Sequence, residues 1–287
     1  MTQPANATET DAGRFYKIPG HAGEQFISVT NAIGVIHKPA LVPWSSKLAG
    51  ERAVQNEAQW HAIQQEEYER LLNRKRSPLT AKAASDKADE KARKWISAAS
   101  REYTSYKATL GSAVHLACEH FEDDEPTDAL LSFAEKMSEY KGTTSQAIDL
   151  IHRHVEQYAK AIDDNGIKIL DTERTVFDTM FGYAGTLDAV VEVDGCQHVL
   201  DIKTGGVYPE SVALQLAAYR YAEGAVYGDE SRSRDTSDIS GGIVLQLHPK
   251  SYKLFHVTCD KEVFGSFVSV LNVWTWKNIK SLKAMEG

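Results

Sequence analysis

The sequence predicts an α/β fold, a mixed central sheet flanked by helices and preceded by a helical N-terminal portion. Two observations carry that expectation. The hydrophobic period changes at Asn165-Gly166: apolar residues recur every three or four positions before it and follow a strand pattern after it. Further on, Asp194-Gly195 stands between two β-rich runs, a strong signal for a two-residue hairpin of type I′.

The elements follow in chain order. Residues 1–13 are polar and acidic and read as a disordered tail, with no signal peptide. Phe26 to Thr30 is a short β-type segment in which Ser28 or Thr30 can cap a helical turn. Pro39 and Pro43 open a helix through Trp44, Leu48, Ala53 and Val54, and Trp60 to Leu72 is a charged amphipathic helix. Asn73 to Pro78 is a loop. Lys82 to Tyr106, Gly111 to Phe121 and Ser145 to Ala161 are helical, the last with Ile148, Ile151, Val155 and Tyr158 on one stripe. Strands are expected at Lys168 to Phe177, Tyr183 to Val193 and Cys196 to Lys203, then a helix at Ser211 to Ala225. Tyr227 to Ser240 reads as a flexible loop, Ile243 to Leu247 and Tyr252 to Val257 as strands, and Lys261 to Lys283 as a closing helix. The expected organisation is a tail at 1–13, a helical portion at 14–110 and a core at 111–287, all one continuous domain.

Composition excludes several classes. Of 287 residues, 42% are hydrophobic and 25% charged, ordinary values for a globular chain and wrong for a disordered scaffold. No apolar run reaches about 18 residues, the length at which a membrane span is suspected. The three cysteines, Cys118, Cys196 and Cys259, are scattered, which excludes a CxxC zinc site and a four-cysteine cluster within the chain and fits a reducing cytoplasm. No GxxxxGK[ST] loop is present. Net charge is −8, yet residues 70–110 carry eleven Lys/Arg against four Asp/Glu, a local net of +7. Such a stretch is either a solvated helix face or a wall for phosphates.

The hairpin places chemistry. An Asp-Gly turn pairs Val193 with Cys196, and the register carried along it sets Asp188 opposite Asp201. Lys203, two residues on, projects from the same face, while Leu200 and Ile202 point to the other. Facing carboxylates are destabilising unless a cation lies between them. Two carboxylates can hold Mg²⁺ or Mn²⁺ and leave places for water and a phosphate oxygen. A lysine beside them can orient or deprotonate that water. An Asp–Lys pair on an exposed strand is the bland alternative for D-x-K alone; the second, opposed Asp turns the balance to function.

Four motifs in order then carry a resemblance: Gly111-Ser112-Ala113-Val114-His115, Gly185-Thr186-Leu187-Asp188, Asp201-Ile202-Lys203-Thr204-Gly205, and Gln215-Leu216-Ala217-Ala218-Tyr219. Together they resemble the GxxxH, GxxD, DxK and QxxxY series of the RecB-type exonuclease branch of the PD-(D/E)xK nuclease superfamily. Ser28-Val29-Thr30 and Lys38 to Trp44 further resemble phage-encoded members. The resemblance implies a restriction-endonuclease-like core and roles by position. Asp188, Asp201, His115 and the Ile202 carbonyl would be metal ligands, and Lys203 the catalytic lysine. Gln215 and Tyr219 would border the active site and the DNA backbone from one helix face. Arg74, Lys75, Arg76, Lys91, Lys94 and Thr204 would meet DNA. Two departures stand out: Leu187 replaces the usual proline, and the four cysteines of the iron–sulfur members are missing, so no cluster is expected.

Other residues are weighed beside these. Glu119 reads as a surface carboxylate, and Glu173, on the strand before Asp188, is set behind a structural reading. His152 and His154 point to different faces of one helix and read as surface; Trp274 and Trp276 read as core and rim. The implied activity is Mg²⁺- or Mn²⁺-dependent hydrolysis of DNA leaving a 5′-phosphate, by an exonuclease serving phage recombination, repair or processing in the host cytoplasm. A strand-annealing recombinase and a homo-oligomer are the partners that resemblance suggests. The rivals are a nicking or structure-specific endonuclease of the same fold and a non-cleaving nucleic-acid-binding protein. The motifs do not tell DNA from RNA.

Overall fold

A computed structural model describes residues 6–10, 13–36, 38–75, 78–120, 128–234 and 236–277. The chain divides into two compact units, Lys38–Ala108 and the remainder, Met1–His37 with Thr109–Gly287. Residues 14–37 therefore go with the sheet, not with the helical portion expected from residue 14.

The smaller unit is helical. Helix α2 (Leu41–Gln55) starts two residues after Pro39 and holds Pro43 in its first turn, and α3 (Glu57–Leu72) and α4 (Ala81–Ser97) pair through small residues. Ala84, Ala88 and Ala92 recur every fourth position and are buried, which gives α4 its single apolar stripe. Thr80 caps α4, its hydroxyl accepting from the Ala83 N–H at 3.3 Å. Helix α5 (Ala99–Glu119) is continuous where a break after Tyr106 was expected. No proline falls inside it, and one glycine costs only about 1 kcal/mol.

Among the described residues, the larger unit is built on a ten-stranded mixed sheet. Its central hairpin joins β5 (Tyr183–Val193) to β6 (Cys196–Lys203), with Val193 opposite Cys196 and Ala189 opposite Leu200, the register expected from Asp-Gly. Asp194 and Gly195 have φ of 51° and 76°, the left-handed pair that a type I′ turn demands. The other edge of β5 is covered along its length by β4 (Lys168–Asp178). Beyond β6 the sheet continues through parallel β9 (Ile239–His248) to antiparallel β10 (Ser251–Val257).

One feature positions everything else. The edge of β5 that faces β6 is shared, because Tyr183 and Ala184 pair in parallel with β3 (Phe26–Ser28) while Ala189 to Val193 pair with β6. Residues 185–188 fall in the gap between these two partners. The side chains of Thr186 and Asp188 open there into a cavity rather than onto a continuous ladder.

Several strands depart from expectation. The expected tail contains β1 (Ala7–Thr10), which pairs with β2 (Gly13–Tyr16). The expected 211–225 helix ends early: α8 is Pro209–Tyr221, and Gly224–Tyr227 forms β7. A Cβ on Gly224 would stand 2.3 Å from the Phe177 ring, so the strand needs glycine where it crosses that ring. The expected 227–240 loop holds β8 (Glu230–Ser233), paired with β7. Helix α1 (Val29–Ile33) follows Ser28, which makes no side-chain cap bond. Helix α6 (Asp128–Tyr140) was not expected. Helix α7 (Thr144–Asp164) opens on a Thr143–Gln146 capping box and buries Ala147, Ile151, His154, Tyr158 and Ala161. His154, expected at the surface, is 2% exposed, with its Nδ1–H on the Leu150 carbonyl at 2.7 Å. It completes the apolar stripe of α7 by satisfying its polar edge within the helix. Helix α9 is Lys261–Lys277; the rest of the expected closing helix lies outside the described residues. Trp274 meets Phe15 edge-on, and Trp276 is exposed. No described helix is long and apolar enough to cross a membrane.

Candidate active site

The gap beside β5 is a cavity of about 270 Å³. Of the residues singled out from the sequence, Asp188, Asp201, Lys203, His115, Gln215 and Tyr219 all line it. They arrive from β5, β6, α5 and α8, so the four motifs meet in one place.

The hairpin ladder opens beyond Ala189 and Leu200. The next main-chain bond after Ala189–Leu200 is not made between the strands. Instead the Ile202 N–H donates to the Asp188 carboxylate at 2.7 Å. The Ile202 carbonyl accepts from His115 Nε2 at 2.9 Å, and His115 Nδ1 lies 3.4 Å from Asp188. Both main-chain groups of Ile202 thus face the site, although its side chain is buried on the other side. Lys203 donates to Asp201 Oδ1 at 2.6 Å. The second oxygen of Asp201, in a residue 1% exposed, has no hydrogen-bond partner.

Electrostatics follow from burial and contacts. Burial opposes a charge on His115, but the adjacent Asp188 carboxylate outweighs it and carries the imidazole pKa up to about 9. Burial likewise works against Asp188, yet His115, Lys203 and the Ile202 N–H hold it below the ordinary range. Asp201 goes the other way, pushed up by burial and by Asp188 against the pull of Lys203. Lys203 loses solvation but stays protonated well into the alkaline range because two carboxylates surround it. At neutral pH the cluster holds an imidazolium and an ammonium among its carboxylates.

The motif glycines have steric reasons. A Cβ on Gly185 would stand 2.6 Å from the Tyr219 ring, so the GxxD glycine lets the QxxxY tyrosine lie against β5. Tyr219 is buried, and Gln215 Nε2 donates to its hydroxyl at 3.4 Å. A Cβ on Gly111 would meet the hydroxyl of half-buried Thr204 at 3.4 Å, which brings α5 close to the end of β6.

The basic residues belong to the smaller unit, Lys38–Ala108. Arg74 and Lys75 are exposed between α3 and α4, and Arg76 lies outside the described residues. Exposed Lys91 is paired with Glu67 at 2.8 Å and exposed Lys94 with Glu90 at 2.6 Å.

Other groups at the cavity carried no assigned role. Arg14, Tyr16, Ser28 and Thr30 reach it from β2, β3 and α1, with Ser28 and Thr30 hydroxyls 2.8 Å apart. Arg14 is ion-paired with Glu9 at 2.7 Å. Thr186 joins the Tyr16 and Thr175 hydroxyls at 3.4 and 3.3 Å. Glu119 lines the cavity from an exposed position, and so does Glu173. The neighbouring protein atoms of the cavity wall partly desolvate its carboxyl and, with Asp188 nearby, raise Glu173 to a pKa of about 7. Ligand atoms of His115, Glu173 and Asp188 lie within 4.8 Å of one another. An imidazole, several carboxylate oxygens and an orphaned buried oxygen form a donor set that fits a divalent cation.

The sheet thus opens on two carboxylates beside a lysine. The chain belongs to the PD-(D/E)XK nuclease superfamily, whose family model matches residues 87–248. Its class is therefore that of a metal-dependent nuclease acting on nucleic acid. A search of curated proteins gives no significant match. Among solved structures, the crystal structure of SSO0001 matches at 15% identity over 61% of this chain and 76% of that one, with a TM-score of 0.28. A likeness that weak carries no argument.

Proposed function

We propose that the chain is a DNA exonuclease of the RecB-type branch, of phage origin, acting with Mg²⁺ or Mn²⁺ in DNA recombination, repair or processing. The observation that carries the reading is the meeting of Asp188, Asp201 and Lys203 with His115 over the Ile202 main chain. Asp188, Asp201, His115 and the Ile202 carbonyl would hold the cation. When bound, the cation supplies a more acidic water and offsets charge on the phosphate.

The chain's own groups do the rest. His115 must give up a proton to become a ligand, since Asp188 keeps it protonated. Lys203, protonated and fixed on Asp201, orients the attacking water and faces the charge that develops on phosphate. That protonation supports orientation over deprotonation by this lysine. Tyr219 and Gln215 present a hydroxyl and an amide to the same cavity and would position the substrate backbone. Thr204 would contact a phosphate beside Gly111, while Arg74, Lys75, Arg76, Lys91 and Lys94 would supply counter-charge along the DNA. A strand-annealing partner and a homo-oligomer belong to the same reading.

The test uses an end-labelled linear duplex and its closed circular counterpart, each with Mg²⁺, Mn²⁺ or EDTA. Loss of the linear DNA alone, abolished by EDTA, is expected. Cutting of the circle would replace the exonuclease by an endonuclease, and retained binding without any cleavage would discard the enzyme.

A further inference from the structure

Beside the carboxylates the sheet continues from β5 through β3 to β2 and β1. Arg14 and Tyr16 on β2, Ser28 at the end of β3 and Thr30 in α1 line the cavity from that side. Arg14 and Tyr16 are two apart on one strand and so share a face. The Tyr16 hydroxyl lies 3.4 Å from that of Thr186, two residues before Asp188 on β5. The Ser28 and Thr30 hydroxyls share one hydrogen bond of 2.8 Å, which leaves one O–H to donate. Ser28 is 2% exposed, and its hydroxyl makes no helix-cap bond. The basic side chains that line the cavity are His115, Lys203 and Arg14. The first two face carboxylates within it, Asp188 and Asp201. Arg14 is held from outside: Glu9, opposite it on β1, is not among the lining residues, and the two side chains are 20% and 54% exposed.

We propose that Arg14 binds a substrate phosphate beside the one that is cleaved, and that Glu9 holds the guanidinium until that phosphate displaces it. This rests on the nuclease reading above and adds a substrate contact to it. A phosphate needs N–H and O–H donors, and ionised carboxylates offer none. The wall from β2, β3 and α1 offers a guanidinium and three hydroxyls with no acidic residue among them. Strands lie about 4.8 Å apart, so β2, two strands from β5, stands about 10 Å from Asp188 across the sheet. That offset gives Arg14 a neighbouring phosphate and leaves the cleaved one to Lys203. Of the carboxylates paired with these cations, Glu9 is the one released at least cost. Exposed ion pairs contribute little net stability, because water solvates the freed groups. Asp201, 1% exposed, has no such solvent to turn to and keeps Lys203. Glu9 therefore stands in the free chain where the phosphate stands in the complex.

The experiment follows the anisotropy of a fluorescent single-stranded oligonucleotide titrated with the full chain in EDTA at low salt, so that binding is read without cleavage. Glu9→Gln should bind about two- to fivefold more tightly than the parent. Arg14→Gln should bind at least about fivefold more weakly and lower the slope of log affinity against log salt by about 0.7, the share of one phosphate contact. In the double variant the gain from Glu9→Gln should vanish, because the two residues act through one another. Glu24→Gln removes an exposed carboxylate outside the pair and should bind as the parent does. Should Arg14→Gln not fold, Arg14→Lys keeps the charge without the planar fork; weaker binding with the parental slope is then expected. Parental affinity in the Arg14 variant, a Glu9→Gln gain that persists without Arg14, or an equal gain from Glu24→Gln would overturn the proposal. Duplex digestion with Mn²⁺ on the same samples keeps the two ideas apart. Digestion by the parent without this coupling removes the Arg14 contact and leaves the nuclease; coupling without digestion supports the contact and removes the nuclease.

Discussion

Two buried carboxylates in this chain are treated in opposite ways. Glu67 on α3 is 8% exposed, with Arg70 on it at 2.5 and 2.9 Å and Lys91 at 2.8 Å. Those hydrogen bonds hold its pKa down to about 2. Asp201 on β6 is 1% exposed, and its one cation, Lys203, covers only one oxygen. Burial and Asp188 push its pKa up. The first site is closed by the protein's own cations; the second leaves an oxygen that solvent cannot reach and no donor satisfies. Buried polar groups are normally paired; under the proposed function a cation would satisfy this oxygen.

Substitutions at the two sites should separate function from stability. Asp201→Asn should cut cleavage by roughly a thousandfold, as losses of transition-state charge stabilisation do, while the metal-free melting temperature holds or rises because the repulsion from Asp188 is relieved. Next in size is the pH dependence set by His115. Below its pKa of about 9 a proton must leave before the imidazole can ligate. Apparent Mn²⁺ affinity should therefore climb about tenfold per pH unit from 6 toward 9 and then level; His115→Gln should flatten that slope in titrations at successive pH values. In the metal-free chain the sign is reversed. A raised histidine stabilises the fold fully below its ordinary pKa of 6.5, and that contribution is lost as pH rises through about 9.

Smaller effects are steric and structural. Gly185→Ala drives a methyl into the Tyr219 ring and should cost about 1–3 kcal/mol in denaturant unfolding. Glu67→Gln removes charge-assisted bonds to two half-exposed cations and should cost about 1–2 kcal/mol at neutral pH. Because the Glu67 pKa is depressed, the difference between parent and variant is complete above 4.5 and fades as pH falls toward 2. Cleavage unaffected by Asp201→Asn would erase the distinction between the two carboxylates.

What the sequence revealed was local. Asp194-Gly195 set the hairpin register, and with it the opposition of Asp188 and Asp201, because a two-residue turn leaves one pairing that keeps both apolar faces inward. Helices α2, α3 and α7 were legible from proline and periodicity; the capping box that opens α7 was not read. Pairings between distant segments were not. Nothing near Phe26 announces a parallel partner at Tyr183, although that pairing makes the gap in which the site lies. Arg14 and Tyr16 reach the cavity from β2, in the stretch from residue 14 that was assigned to the helical N-terminal portion. Glu173 could have been found by running the register back from the turn between Asp178 and Tyr183, but a four-residue connection fixes register less tightly than Asp-Gly. His154 was misplaced because a histidine can satisfy itself on its own helix and enter an apolar stripe.

The central claim is that this carboxylate cluster with its lysine cleaves phosphodiesters in the presence of a divalent cation. The most direct measurement strips the protein of metal, restores Mn²⁺, and follows digestion of an end-labelled duplex by the parent and by Lys203→Ala, both verified as folded and titrated for Mn²⁺. The account requires metal-dependent digestion by the parent and, in Lys203→Ala, Mn²⁺ binding retained with cleavage reduced at least about a hundredfold. Digestion at the parental rate by Lys203→Ala would contradict it.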